Sequence, residues 1–170
     1  MSATIIDGKA LAEREKNRTR DRVAELRAQG RSVRLDAVLA ASNDDAAARV
    51  YAQNQAKMCD ALGIEYRLHE LPEGAGADDI AGRVLLLNED KKCHAVMVHM
   101  PMPDGVDPYR IQSLIHPEKD VEGVNPANIG NIVYGRSSLA PCTALAVVRL
   151  IDESGIELRG KRCVVVGASD

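Results

Sequence analysis

The sequence predicts an α/β protein: a parallel sheet with helices on both faces, a three-layer arrangement. Two observations carry this. Short apolar runs at 33–39, 64–68 and 95–98 alternate with segments of helical periodicity, and Gly or Pro marks the junctions, at Gly30, Gly63, Gly74, Gly76 and Pro101.

Each element follows from its residues. Asp7 caps a helix from Gly8 to Gln29, which Gly30 ends; Leu11, Val23 and Leu26 are its only large apolar residues, so it lies on the surface. Val33, Leu35, Ala37 and Leu39 alternate with other residues as a strand would. Ala47, Val50, Tyr51, Asn54, Met58, Ala61 and Leu62 repeat at three- and four-residue spacing and give a helix over 45–62, stopped by Gly63. Ile64, Tyr66 and Leu68 alternate as a second strand, and Ile80, Val84 and Leu87 mark the next helix. Residues 95–98 read as a buried strand that breaks at Pro101 and Pro103. Asp107-Pro108 starts a short helix with Ile111, Leu114 and Ile115 inward.

From His116 to Thr143 there is little periodicity, which predicts a functional or disordered loop. Thr143 is then expected to cap a helix with Leu145, Val148 and Ile151 inward, ended at Ser154-Gly155. Residues 163–166 read as another buried strand flowing into Gly167-Ala168-Ser169. A strand running into V-V-V-G-A-S is how a dinucleotide-binding unit opens, so the chain divides into a domain over 1–155 and the opening strand of a truncated Rossmann-like domain over 156–170. Ligands of parallel sheets bind beyond the carboxyl ends of the strands. The turns after Leu39 and Val98 are therefore the expected pocket rim, with the loop after His116 as a third wall.

The totals exclude several classes. A net charge of -3 offers no field for a phosphate backbone, so nucleic acid is not an expected partner. No window approaches the apolar length of a membrane span and no basic-then-apolar leader opens the chain, so a cytoplasmic protein is expected. Cys59, Cys93, Cys142 and Cys163 lie far apart, which suggests reduced thiols without a metal site or disulfide framework. The four Tyr are the only aromatic residues, so any Tyr in a pocket stands out.

Six stretches share their wording and order with one family: I-I-D-G-K at 5–9, the Tyr51 helix ending in Leu62-Gly63, V-H-M-P-M-P at 98–103, H-P-E-K-D-V-E-G at 116–123, P-C-T at 141–143 and G-K-R-C-V-V-V-G-A-S at 160–169. On these the chain resembles the methylenetetrahydrofolate dehydrogenase/cyclohydrolase family. The resemblance implies a folate-binding first domain, a second domain for NADP or NAD, and an active site between them. It implies two steps: hydride transfer from 5,10-methylenetetrahydrofolate to the nicotinamide, and hydrolysis of the resulting methenyl cation to 10-formyltetrahydrofolate. A homodimer is a further expectation for the complete protein.

Carried over position by position, the resemblance makes Tyr51 the residue that stacks on the folate ring system. It places Asp120, with Pro101 and Pro103, at the substrate, and Gly167 and Ser169 at the cofactor. Three places depart. Where the family has a Ser, a Lys and a Gln, this chain has Ala48, Gln55 and His99. A neutral amide cannot exchange a proton near pH 7 as an amine can, so the cyclohydrolase step lacks its proton carrier. Lys57 sits about 200° around the helix from position 55 and is expected to face away. His99 is the nearby group that titrates close to neutrality and is carried as a catalytic candidate with Tyr51 and Gln55. Glu122 stands where the family usually has Asp. Two other readings are a paralogue whose altered pocket takes a different ligand, and a noncatalytic module pairing through an exposed strand.

Overall fold

The structure, a computed structural model, describes residues 5–40, 46–136 and 138–167. Helix α1 spans Gly8–Ala28, with the Asp7 carboxylate accepting from the Lys9 and Ala10 backbone N–H groups. Strand β1 (Arg34–Leu39) leads to α2 (Ala46–Leu62), β2 (Glu65–Glu70), α3 (Ala77–Glu89) and β3 (Ala95–Val98). The three strands form one parallel sheet in the order β2-β1-β3, with Leu35 level with both Tyr66 and Ala95. Short helix α4 (Pro108–Leu114) follows, its start capped by Asp107 with Pro108 in the first turn, as the sequence predicts.

The expected alternation along β1 does not appear as a wet and a dry face. Five of its six residues are buried, Arg34 and Asp36 among them. A central parallel strand is covered on both sides by crossover helices, so its polar residues must find partners in the interior. Pleating sends Arg34, Asp36 and Val38 to one face and Leu35, Ala37 and Leu39 to the other. On the first, Val38, Val96 and Val98 pack with Ile80, Val84 and Leu87 of α3 and with Ile111 and Ile115. The second lies under α2, whose buried residues are Ala48, Ala52 and Cys59.

On the α3 face Arg34 Nε donates to Asp36 Oδ2 at 2.6 Å and a second guanidinium nitrogen reaches Asp90. His69 Nε2 stands 2.8 Å from the other Asp36 oxygen. Lys119 Nζ donates to the carbonyls of Leu87, Asn88 and Asp90, closing the carboxyl end of α3 with a cation.

Three expectations are corrected. The stretch after His116 is not loop throughout: α5 (Pro126–Val133) lies inside it, its start built from Asn125, which accepts from Ala127 N, and Pro126. That Asn-Pro start repeats the logic of Asp107-Pro108, and Ile129, Ile132 and Val133 stand at three- and four-residue spacing, so the local signal for this helix was present in the sequence and passed over. Helix α6 (Cys142–Glu153) begins after Pro141, with Thr143 already inside it. Its Leu145 and Val148 are exposed. The helix rests on α1 through Leu150 beside Gly8 and an Arg14–Glu153 ion pair, which leaves Leu145 and Val148 about half exposed and Ile151 partly buried. Amphipathicity requires a cover without saying what supplies it.

Last, 163–166 is neither a strand nor buried. Val164, Val165 and Val166 are 87%, 88% and 95% exposed. A strand exists through its ladder, and among the described residues no strand lies beside this run. Among the described residues, no helix is long and apolar enough to cross a membrane.

Candidate functional site at the carboxyl end of the sheet

Helix α2 carries Tyr51 and Gln55 one turn apart on one side, as the four-residue spacing requires. Tyr51 is 61% exposed and open to a ligand. Lys57 is exposed, as its angular offset predicts. His99 follows β3 and extends its ladder, its N–H donating to Val38 O at 2.8 Å. Pleating turns its side chain to the face under α2, where only 3% of the residue is exposed.

Two contacts tie His99 into place. Its ring meets that of Tyr51 edge-on, with centroids 5.6 Å apart and planes at 82°. Its Nε2 lies 3.2 Å from the hydroxyl of Tyr66. Burial lowers the His99 pKa, because the charged imidazolium loses its water. Burial also pushes the Tyr66 phenol up to about 12, with Cys59 and Tyr51 adding to it. Both groups are therefore neutral near pH 7. Gln55 Oε1 is buried without a hydrogen-bond partner. The floor is thus an uncharged bed holding an unused acceptor.

The loop after β3 turns at Met100-Pro101, a cis peptide, leaving Pro101 exposed and Pro103 partly covered. The opposite wall is the 116–123 segment. Lys119 O accepts from Val96 N at 2.7 Å, so this segment runs parallel beside β3 for one step. Asp120 is fully buried there. Its carboxylate accepts from Gly123 N at 3.0 Å, Asn125 N at 2.8 Å and Asn128 Nδ2 at 2.9 Å. Three of about four acceptor positions are filled from within the chain.

Two residues on, Glu122 takes a hydrogen bond from the Val98 backbone, which puts its carboxyl group beside the end of β3. Burial raises its pKa, and the neighbouring Asp120 adds to the rise against that hydrogen bond. Cys142 closes this corner, its thiol donating to Val121 O at 3.0 Å. Burial and the nearby Glu122 and Asp120 raise its pKa, which disfavours the thiolate.

Gly123 makes this corner possible. Its φ is +69°, and a Cβ there would lie 2.3 Å from Ala140 C and 2.5 Å from Pro141 N, both backbone atoms. Gly123→Ala is expected to lose about 2 kcal/mol or more in urea unfolding.

The structure brings Tyr51, Gln55 and His99 to one end of the sheet, with the 120–123 corner on the far side of β3. Gly167, at φ +118° with open space at its Cα, lies in the exposed carboxyl-terminal run, and Ser169 falls outside the described residues. Tyr66 is the participant the sequence reading passed over. The available signal was parity: levelling Tyr66 with Ala95 puts it on the His99 face.

The family described as tetrahydrofolate dehydrogenase/cyclohydrolase, catalytic domain, matches residues 6–122. The chain belongs to this family. It is 36% identical over all of its 170 residues to the bifunctional protein FolD of Moorella thermoacetica, and covers 60% of that protein. The crystal structure of the bifunctional FolD methylenetetrahydrofolate dehydrogenase/cyclohydrolase from Campylobacter jejuni superposes with a TM-score of 0.93 at 32% identity, over 99% of this chain and 59% of that one. The Trypanosoma brucei enzyme, solved with NADP and inhibitor, gives 0.84 at 32% identity over 95% and 55%. The NAD-dependent dehydrogenase of Saccharomyces cerevisiae gives 0.74 at 26% identity over 85% and 48%. The chain spans about three fifths of the length of the curated relatives it matches.

Proposed function

We propose that this chain is the folate-binding part of an NAD(P)-dependent methylenetetrahydrofolate dehydrogenase in which hydrolysis of the methenyl product is impaired or lost. The observation that carries the reading is the placement of Tyr51, Gln55 and His99 around the carboxyl end of the sheet. Tyr51 offers an open ring face for the pterin. Asp120 was the expected pterin acceptor; with its oxygens taken by Gly123, Asn125 and Asn128, it organises the wall, and Glu122 is the carboxyl group nearer the ligand.

The uncharged floor separates the two chemistries. Hydride transfer depends on holding folate against the nicotinamide, which Tyr51 and the Pro101–Pro103 loop serve by position. Hydrolysis needs a group that gives and takes protons. Gln55 cannot do so, and His99, neutral and buried, is the titratable group beside it on this floor. NADP or NAD would supply the hydride acceptor.

Calorimetric titration with 5-formyltetrahydrofolate, a stable folate analogue, tests the reading. Saturable binding is expected, weakened about tenfold or more by Tyr51→Ala and by Glu122→Gln. In the whole protein, Gln55→Lys should raise the rate of methenyl hydrolysis by about 10²-fold, the usual contribution of a positioned acid/base. Absence of folate binding by the whole protein would sink the proposal in favour of a paralogue with another ligand.

A further inference from the structure

The Tyr66–His99 contact joins the two outer strands across β1. Tyr66 is level with Leu35, and His99 lies beyond Val98, which is level with Val38. Between those levels β1 presents Ala37 on the same face, a side chain small enough for a tyrosine to reach over. The separation is 3.2 Å, within hydrogen-bond range.

The direction of that bond follows from chemistry. A phenol with its pKa near 12 keeps its proton at any physiological pH. If the phenol donates, Nε2 must offer its lone pair, and a neutral imidazole then carries its hydrogen on Nδ1. The reverse arrangement would leave the phenol hydrogen without the acceptor this contact supplies. The same His99 ring meets Tyr51 edge-on at 5.6 Å. Turning the imidazole over would change the edge that Tyr51 meets, because the two edges differ in where they carry N–H and lone pair.

We propose that Tyr66 is a positioning residue of this pocket, its hydroxyl holding His99 as the Nδ1–H tautomer so that the imidazole braces Tyr51 for a flat heteroaromatic ligand. The effect is pre-organisation: a ring already set at the ligand's plane loses less freedom on binding. The ligand half rests on the folate reading above; the tautomer half does not.

The full chain with ¹⁵N-labelled histidine provides the test, through long-range ¹H–¹⁵N correlation of its four imidazoles. His99 is assigned by the signal lost in His99→Gln. Expected at pH 7 is a protonated Nδ1 and an unprotonated Nε2 without ligand, and a tautomer mixture in Tyr66→Phe, which keeps the ring and removes only the hydroxyl. Titration with 5-formyltetrahydrofolate should then show affinity weakened about three- to tenfold in Tyr66→Phe, the range of one neutral hydrogen bond. A wild-type His99 protonated at Nε2, or averaged between tautomers, overturns the proposal without any variant. So does a Tyr66→Phe protein whose tautomer is released while its affinity is unchanged. The expected tautomer together with no folate binding by the whole protein supports the Tyr66 lock and overturns the folate reading instead.

Discussion

Asp120→Ala should unfold this protein more readily by about 3–5 kcal/mol, read as a lowered urea midpoint at constant slope. The carboxylate is fully buried and satisfies two backbone N–H groups, of Gly123 and Asn125, and the side-chain amide of Asn128. Truncation leaves those donors without acceptors, at about 1–3 kcal/mol for each buried group that finds no water. The damage extends further, because the same asparagines tie the wall to its neighbours. Asn125 Nδ2 donates to Ile115 O at 2.8 Å and Asn128 Nδ2 to Pro117 O at 2.9 Å. Asp120→Asn keeps one acceptor oxygen but turns an NH₂ group toward other donors, and an intermediate loss is expected. If Asp120 acted on ligand alone, both variants would keep wild-type stability and lose affinity only.

Arg34→Met is expected to cost a comparable amount, about 3–5 kcal/mol, because it leaves the Asp36 carboxylate buried with its main cationic partner gone. Removing both charges, as Arg34→Met with Asp36→Leu, should recover much of the loss, since an apolar pair needs no solvation. The pH dependence has a definite sign. Burial works against the charged form of Asp36, but hydrogen bonds from His69, Arg34 and Cys93 outweigh it, so its folded pKa lies below the ordinary value. Its contribution is therefore full above the unfolded pKa of about 3.9 and is lost as pH falls through the depressed folded value. Without Arg34 the desolvation is less opposed. The acid limb of the stability profile in Arg34→Met should then begin at higher pH than in the wild type, measurable by thermal melts between about pH 3 and 7.

Much of the fold was legible because the relevant signals are local. The Asp7 and Asp107 caps, the stop at Gly63 and the three- and four-residue spacing around Tyr51 each depend on residues within one or two turns. Where the reading failed, the missing information was nonlocal. Val164, Val165 and Val166 have strand composition, but composition does not supply a neighbour to pair with. Leu145 and Val148 form an apolar stripe on α6, yet whether a stripe is buried depends on what lies opposite it. Pro126–Val133 is the exception: its Asn125-Pro126 start and the spacing of Ile129, Ile132 and Val133 are local signals of the kind that marked Pro108–Leu114, and they were passed over inside a stretch rich in Gly, Pro and Asn.

The site divides in the same way. Tyr51 and Gln55 could be placed together from sequence, since four residues along a helix is a fixed geometry. The sequence reading put Asp120 at the substrate and gave Glu122 no role, because only the parallel step of this segment beside β3 shows Asp120 turned into the interior and Glu122 near the strand end.

By itself the sequence determined the order and type of the elements that build the sheet and its covering helices, the absence of an amine at position 55 and the family to which the chain belongs. The tertiary structure alone decided that Asp36 and Arg34 are interior partners, that Asp120 supports the wall, and that Tyr66 reaches across β1 to His99. Helical geometry repeats within a few residues, whereas these contacts join positions that meet only after parallel strands have aligned. For Tyr66 and His99 that separation is 33 residues.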